Sequence, residues 1–456
     1  MRRQVLRRVL ATCGNPDNGR LGYSGVASDG TAFFRLVGGA LAGEDVVSAA
    51  AGGAHTVALL SSSSTSTRSG GGAVLTFGDN ARGQLGHSPA SASVSTPVEA
   101  LVPEEVVAVA AGDRHTLALG ASGGVWAWGA NGAGQCGLGA GAVGTDQPSP
   151  RLVTLLAGEW WGSASGASSS SSAHAPPPRI VALAAGGSHS AALGEDGSVF
   201  TWGAGSSGQL GHGGEAESST LEPAPRRVRG LDGRGAVSSL VAGGDRTGAV
   251  VDGRVFVWGA SGGVSGGQRR SATSTPTLTP SLHAVSALSL GRLHALAGRG
   301  LAGPAAAWGD GGDHGALGVG LTAAPGGVTP TPAPIMTAPD GGLGLHDPAT
   351  APAALPLIHL SAVAAGWQHS LGVGPDGDLF AWGWGGSQGG AFPFTPGVAT
   401  GGGQLGLGDD NDRPAAGRVM RVLEGGGGAV GGAWRAVGVS AGVNHSVAVV
   451  EVSAGS

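Results

Sequence analysis

Short apolar segments alternate with glycine-rich turns along almost the whole chain. Two examples are residues 181–184 (Val-Ala-Leu-Ala) and 198–202 (Ser-Val-Phe-Thr-Trp). The second is rich in β-branched and aromatic residues, which favour strands. Between them lies Glu195-Asp196-Gly197, a hairpin signal because glycine accepts the positive φ of a tight turn. The runs are too short for helices, so the pattern predicts an all-β protein.

One recurring motif has the form Ala-Gly-x-x-His-Ser/Thr. Five intact copies begin at Ala51, Ala111, Ala185, Ala365 and Ala441. Two altered copies bring the total to seven: one carries Arg246 where the others have His, and the other carries Ala295 where the others have a hydroxyl. Repetition on this scale indicates one structural unit used many times.

A second motif alternates with the first and joins an aromatic-Gly pair to a Gly-x-Leu-Gly turn. Six copies start at Phe77, Trp128, Trp202, Trp258, Trp308 and Trp382, and a seventh begins at Cys13-Gly14. The copy that starts at Trp258 lacks the Leu-Gly end.

The order of the two motifs predicts a closed ring. The chain begins with an aromatic-Gly half and ends with a His half, so each is incomplete until it pairs with the other. Pairing them yields seven complete units and removes the free sheet edges. An open solenoid would instead need polar caps at both ends.

The two motifs resemble the repeats of the regulator of chromosome condensation family, and the resemblance covers nearly the whole chain. It implies a closed seven-bladed β-propeller with four antiparallel strands per blade, the last blade being completed by the N-terminal strand. We therefore expect a single propeller domain over residues 1–456. The blade limits predicted from the motifs are 46–86, 105–137, 179–211, 236–267, 284–318, 358–406, and 434–450 closed with 8–22.

Five segments interrupt the repeat and are predicted to be flexible insertions, because they are rich in Ser, Gly and Pro. They are residues 61–72, 140–178, 319–356, 385–403 and 425–432.

Composition restricts the classes of function. The formal net charge is −5, and the sequence contains no lysine, so no electrostatic footprint for nucleic acid is evident. Two cysteines, Cys13 and Cys136, make neither a disulfide framework nor a zinc site. No apolar run is long enough to span a membrane. Gly132 to Gly137 matches Gly-x-Gly-x-x-Gly, but no helix follows it, so no cofactor is predicted.

The motif side chains are predicted to be structural. A functional alternative for the six repeat histidines is metal binding, but equivalent positions around a ring cannot meet at one ion. The predicted structural histidines are His55, His115, His189, His294, His369 and His445. The predicted core tryptophans are Trp128, Trp202, Trp258, Trp308 and Trp382. Trp160 and Trp161 lie outside this register and are candidate partner contacts, with local packing as the alternative.

The expected function is a non-catalytic scaffold for protein partners, working as a monomeric propeller. The resemblance also implies an alternative, nucleotide exchange on a Ran-type small GTPase, although no inserted wedge is found. Ultraviolet-B sensing is disfavoured, because only Trp367 stands two places before a motif His. We expect the cytoplasm or nucleus. The Arg-rich start, with four Arg in residues 1–10, leaves a mitochondrial or plastid transit peptide as the alternative.

Overall fold

The chain is described here from a computed structural model. The structure describes residues 6–23, 31–61, 72–87, 91–154, 178–213, 220–260, 272–311, 314–320, 328–338, 355–386 and 402–453.

The strands form seven sheets arranged as a closed ring. Six sheets have four antiparallel strands and the seventh has five. We number blades 1 to 6 along the chain and call the seventh the closing blade. The predicted fold class, a closed seven-bladed β-propeller, is confirmed.

Each blade contributes one strand to each of four layers. The inner strands are Val46–Ala51, Val106–Ala111, Ile180–Ala185, Val237–Gly243, Ala287–Leu290, Ala362–Ala365 and Trp434–Ala441. The second strands are His55–Leu60, His115–Gly120, His189–Gly194, Arg246–Val251, His294–Gly298, His369–Val373 and His445–Ser453. The third strands are Val74–Asp79, Val125–Gly129, Val199–Ala204, Arg254–Gly259, Ala306–Asp310, Leu379–Gly383 and Leu6–Gly14. The outer strands are Ser93–Ala100, Gln147–Leu152, Leu221–Arg227, Thr273–Leu278, Val328–Pro334, Arg413–Arg418 and Thr31–Leu36.

The two ends of the described chain meet in the closing blade. Leu10 pairs with Val449 and Cys13 with Ser446 in an antiparallel ladder, so the third strand Leu6–Gly14 is interior to the sheet. The fifth strand of this sheet, Val422–Leu423, pairs in parallel with the outer strand. Closure thus depends on ladder hydrogen bonds between residues more than 400 positions apart.

All seven outer strands lie beyond the blade limits that the motifs predict. Gln147–Leu152 belongs to the sheet of blade 2, although the sequence assigns it to the insertion 140–178. Val328–Pro334 likewise falls within the insertion 319–356 and forms the outer strand of blade 5. Both segments are polar and proline-rich, which hides them from a search for apolar strands. Such a composition suits an edge strand, where proline removes no essential ladder bond.

Another predicted insertion, 425–432, is partly a hydrogen-bonded turn. The amide of Glu424 donates to the carbonyl of Gly428, and the amide of Val430 donates to that of Val422. Three-residue 3-10 turns supply the helical structure of the described ranges: Asp17–Gly19, Gly39–Leu41, Ala140–Ala142 and Gly300–Ala302. None of these described helical elements is long and apolar enough to cross a membrane.

The hydrophobic core lies between the blades. One cluster joins Leu117 and Val125 of blade 2 to Ile180, Phe200 and Trp202 of blade 3. Each sheet therefore covers its neighbour, as stacked repeats require.

The strand directions define two faces of the ring. The Ala-Gly-x-x-His turns join the inner strands to the second strands on one side, which we call the motif face. The connections from each outer strand to the next inner strand run on the opposite side, which we call the linker face.

Candidate functional site

The motif histidines connect neighbouring blades. The Nε2 atom of His189 in blade 3 lies 2.8 Å from the Thr247 hydroxyl in blade 4. Four further pairs have the same arrangement: His55 with Thr116, His115 with Ser190, His294 with Ser370 and His445 with Thr56. The last pair joins the closing blade to blade 1. The sixth histidine, His369 of blade 6, is buried in the corresponding place, but its Nε2 has no hydrogen-bond partner among the described residues.

The hydroxyl group decides which nitrogen of the histidine carries the proton. The Thr247 hydroxyl donates to the carbonyl of Gln209 at 2.7 Å, and it therefore accepts from His189. The Nε2 atom must then be the donor, as in a neutral imidazole protonated at Nε2. Thr116, Ser190, Ser370, Ser446 and Thr56 donate to turn carbonyls in the same way.

Burial holds these imidazoles neutral. It lowers the pKa of His115 and His294 to about 3 and the pKa of His55, His189 and His369 to about 4. Burial also lowers the pKa of His445 well below its usual value. A neutral, buried imidazole that donates its single N–H to a hydroxyl on the neighbouring blade is suited to a structural role. The structural role remains a prediction.

Three of the motif tryptophans use the same turn carbonyls, whereas the Nε1 of Trp258 has no hydrogen-bond partner among the described residues. The indole Nε1 of Trp202 donates to the carbonyl of Gln135 at 2.9 Å, the carbonyl that also accepts from Ser190. Trp128 and Trp382 bond in the same way to Gln84 and Ala316. Trp128, Trp202, Trp258 and Trp382 are among the largest fully buried side chains, and Trp308 is also buried.

A glycine of the preceding turn makes room for each such indole. A Cβ added to Gly137 would lie 2.8 Å from Trp202 Nε1, closer than real Cβ contacts. Gly137 also has φ +69°, which disfavours any other residue. The Gly-x-Leu-Gly turn of one blade thus forms the slot for the aromatic residue of the next.

The two altered motif copies are neighbours, and the structure shows how they fit each other. Arg246 of blade 4 faces blade 5, where Ala295 offers no hydroxyl. Its guanidinium donates instead to the carbonyls of Gly291 and His294, at 2.7 and 2.6 Å. Burial lowers the pKa of Arg246 to about 10, which leaves it protonated at neutral pH.

The variable positions of the Ala-Gly-x-x-His motif come together around the axis on the motif face. A cavity of about 260 Å³ opens there. Glycine and alanine from all seven motif turns supply most of its wall. Its charged and aromatic lining side chains are Asp113, Arg292 and Trp367, and we call this group the channel mouth.

The channel mouth combines charge with one aromatic side chain. The Arg292 guanidinium lies over the Trp367 ring, 4.4 Å from its centroid, within the range of a cation–π interaction. Asp113 reaches over blade 3, where a Cβ added to Gly187 would lie 3.2 Å from its Oδ2. Asp113 and Arg292 are exposed and Trp367 is partly exposed, so all three can be reached from solvent.

The electrostatics of the mouth link blades on opposite sides of the axis. Confinement by the surrounding wall raises the pKa of Asp113, although the side chain is still open to solvent. Arg292 of blade 5 opposes this rise in the pKa, and Asp245 of blade 4 adds to it. The site is therefore a compact group of opposite charges rather than a patch of one sign.

Sequence reasoning did not single out Asp113, Asp245 or Arg292 as site residues. The signal available was position: the variable places of a fixed motif must converge on the axis of a closed ring. The predicted contacts Trp160 and Trp161 lie outside the described residues, so they stay a prediction. No cluster of side chains able to hold a metal ion occurs among the residues that the structure describes.

A family model described as RCC1-like domain matches residues 9–448, a span that takes in all seven blades. The chain belongs to the RCC1-like domain family. The family resemblance predicted from the two motifs is thus confirmed.

Curated relatives match this RCC1-like domain over part of its length. The probable E3 ubiquitin-protein ligase HERC6 of Homo sapiens is 34% identical over 190 residues, which are 41% of this chain and 16% of HERC6. The ultraviolet-B receptor UVR8 of Arabidopsis thaliana is 33% identical over 237 residues, 51% of this chain and 44% of UVR8. The matched parts amount to less than half of either relative.

Solved structures match the RCC1-like domain over its full length. Human WBSCR16 has a TM-score of 0.69 at 22% identity, covering 96% of this chain and 99% of that one. Prp20p of Saccharomyces cerevisiae, described together with its binding to Gsp1p and histones, also has a TM-score of 0.69 at 22% identity. That match covers 99% of this chain and 93% of Prp20p. At this identity, the likeness shows the fold alone.

Proposed function

We propose that this protein is a non-catalytic scaffold in the cytoplasm or nucleus, and that a protein partner docks over the channel mouth. The observation that carries the proposal is the accessible group of Asp113, Arg292 and Trp367 on a rigid ring. Tryptophan and arginine are the residue types most enriched at the energetic centres of protein interfaces. Their position on short turns of a rigid ring also lowers the entropic cost of binding.

The size and lining of the cavity support a protein partner over a small metabolite. Drug-sized ligands occupy mostly apolar pockets of roughly 300–1,000 Å³. The cavity here, at about 260 Å³ and walled largely by glycine and alanine, suits a single inserted side chain. A partner side chain that carries a positive charge would meet Asp113, and one that carries a negative charge would meet Arg292.

The scaffold proposal is tested by purifying partners from the native cells with the wild-type protein and a Trp367→Ala/Arg292→Ala variant. We expect the variant to lose its main partners by tenfold or more, about 1.4 kcal/mol or greater. A matched control is Arg254→Ala/Leu301→Ala, which removes an exposed arginine and an exposed apolar side chain from the linker face. An unchanged partner set in the channel-mouth variant would reject the proposed site.

The alternative is nucleotide exchange on a Ran-type GTPase. Its support is the fold shared with Prp20p, a protein described with binding to Gsp1p. Mixing the chain with a Ran-type GTPase loaded with labelled nucleotide distinguishes the two functions, because a scaffold leaves nucleotide release at its intrinsic rate. Accelerated release would favour the alternative.

A further inference from the structure

The exposed apolar side chains are not spread evenly over the ring. All the large ones that the structure describes lie on the linker face. They are Leu6, Val47, Leu101, Val107, Leu152, Val181, Leu278, Leu301, Leu357, Met420 and Val437. They occupy starts of inner and third strands, ends of outer strands, and the connections between them. The motif face has none among the described residues.

Four of these residues form a regular feature, which we call the valine arc: Val437, Val47, Val107 and Val181. Each stands five residues before the motif glycine, on an inner strand. Each also lies at a β-bulge, where the register with the second strand shifts. Their blades are consecutive around the ring: the closing blade, then blades 1, 2 and 3. The valines are 39–48% exposed.

The other three blades carry serine at the same position: Ser238, Ser286 and Ser361. Their hydroxyls donate to the carbonyls of Val250, Gly298 and Val373 on the adjacent second strands, at 3.0–3.3 Å. Serine is thus compatible with this position, on the inner strand in blade 4 and one residue before it in blades 5 and 6, and its hydroxyl is hydrogen-bonded there. The fold does not require valine at this position, and a side chain this exposed adds little stability through burial.

Two neighbouring members of the arc share a depression. Val437 and Val47 both line a cavity of about 210 Å³ between the inner strands of the closing blade and blade 1. Its other walls include Ala49, Val439 and Val449, so an apolar side chain could enter between the two valines. Contiguous exposed apolar surface marks a binding site, and the arc repeats such exposure at one position on four consecutive blades.

The charges beside the arc indicate the chemistry of the occupant. Glu105, two residues before Val107, and Glu195, in the hairpin of blade 3, are exposed. Neither forms an ion pair within the described ranges. The nearby Arg8 and Arg435 are already bound to Glu451. Arg179, two residues before Val181, is an exposed positive charge whose guanidinium donates to the Ala121 carbonyl. Together with Asp45, two residues before Val47, the two glutamates outnumber this arginine, so the balance of charge beside the arc in blades 1, 2 and 3 is negative.

We propose that the valine arc docks a segment of a partner protein that presents apolar side chains flanked by lysine or arginine. The apolar side chains cover Val437, Val47, Val107 and Val181, and the basic flanks pair with Glu105 and Glu195. This surface is on the face opposite the channel mouth, so the proposal stands independently of the proposed function. A protein with both surfaces can hold two partners at once.

The test uses the serine found in blades 4, 5 and 6 as the replacement. A peptide-display library is selected on the wild-type protein and screened against a Val47→Ser/Val107→Ser/Val181→Ser variant. The matched control, Leu278→Ser/Leu301→Ser, removes exposed leucines from the same face outside the arc. Thermal melting of each protein shows that the fold persists. A single Val107→Ser variant serves if the triple variant unfolds.

We expect the selected peptides to combine apolar residues with lysine or arginine. Their affinity should fall at least about tenfold in the triple variant and stay unchanged in the control. Glu105→Gln/Glu195→Gln should weaken binding and reduce its dependence on salt.

Three results would overturn the proposal: no enrichment of such peptides, equal affinity for the triple-serine variant, or enrichment of acidic peptides. Wild-type self-association that is lost in the triple variant would also overturn it, because the occupant would then be a second copy of the chain.

Discussion

The contact between blades 3 and 4 and the contact between blades 4 and 5 hold the same ring together by different chemistry. At the first, His189 meets the Thr247 hydroxyl, which in turn donates to the Gln209 carbonyl. At the second, the histidine is replaced by Arg246 and the hydroxyl by Ala295. The arginine spans the gap and binds two backbone carbonyls.

A repeat contact can therefore lose its motif residues and still join two blades. The longer guanidinium reaches backbone acceptors that any sequence supplies, so it needs no partner side chain. The cost is a buried cation that burial disfavours. A copy of the motif that looks degenerate in sequence is therefore a second solution to the same packing problem.

The largest expected effect concerns the contact that closes the ring. Deleting residues 1–22 removes the third strand of the closing blade, which pairs on both sides, and the turn whose Arg20 carbonyl accepts from Thr56. We expect loss of the cooperative thermal transition in circular dichroism. A truncated protein that melts like the full chain would show that ring closure is dispensable for stability. The hydrogen bonds between the closing blade and blade 1 would then be dispensable as well.

The second effect is a loss of stability in acid, because the histidine contacts titrate and the Arg246 contact does not. An imidazole whose folded pKa lies near 3 to 4 stays neutral, while in the unfolded chain it protonates below about pH 6.5. Its contribution is therefore complete above about pH 6.5 and falls by about 1.4 kcal/mol per pH unit until the folded pKa is reached.

Five imidazoles of this kind lose stability over the same pH range, so together they make the fall steeper than one residue could. We expect the melting temperature to fall steeply from pH 6.5 towards pH 4.5, measured by scanning calorimetry. His189→Gln should make the melting temperature depend less steeply on pH, because one fewer proton is taken up on unfolding. A melting temperature that stays flat over this range would contradict the buried neutral imidazoles.

The third effect compares tryptophans at a regular and at the altered contact. Trp202→Ala should cost about 3–5 kcal/mol, because it empties a slot formed by Gly137 and loses the bond to Gln135. Trp308→Ala should cost about 1 kcal/mol less, since the preceding turn lacks its Leu-Gly end and the side chain is less buried. Urea denaturation measures both. A loss below about 1 kcal/mol for Trp202→Ala would place that residue outside the core.

The smallest effect tests whether Arg246 and Ala295 compensate for each other. Arg246→His alone should destabilise by about 1–3 kcal/mol, because its Nε2 proton finds no hydroxyl. Adding Ala295→Thr should recover part of that loss. A double-mutant cycle measured by urea denaturation gives the coupling, expected at about 1 kcal/mol. Strict additivity would show that the two positions are independent.

Much of this architecture was predictable because it repeats. The alternation of the two motifs predicted seven blades and the meeting of the chain ends, and Leu10 does pair with Val449. The outer strands were not predictable, because Gln147–Leu152 and Val328–Pro334 are edge strands with the composition of a loop. Burial on only one side leaves little apolar pattern to detect.

The candidate site was much less predictable than the fold. Asp113, Arg292 and Trp367 lie far apart in sequence and share only a position within the motif. The valine arc was hard to predict for the same reason, since a valine five residues before a motif glycine carries no signal in a single repeat.

The ring follows from the repeat sequence, because each motif residue contacts the neighbouring repeat: a turn glycine makes room for an indole, and a histidine bonds to a hydroxyl one repeat later. The residues that form these contacts between neighbouring blades recur with the repeat. The channel mouth and the valine arc depend instead on how the blades are arranged in three dimensions. Ring closure fixes which variable side chains face each other across the axis, and the direction of each strand fixes which exposed residues share a face. These groupings bring together residues from different repeats, so they cannot be predicted from any single motif.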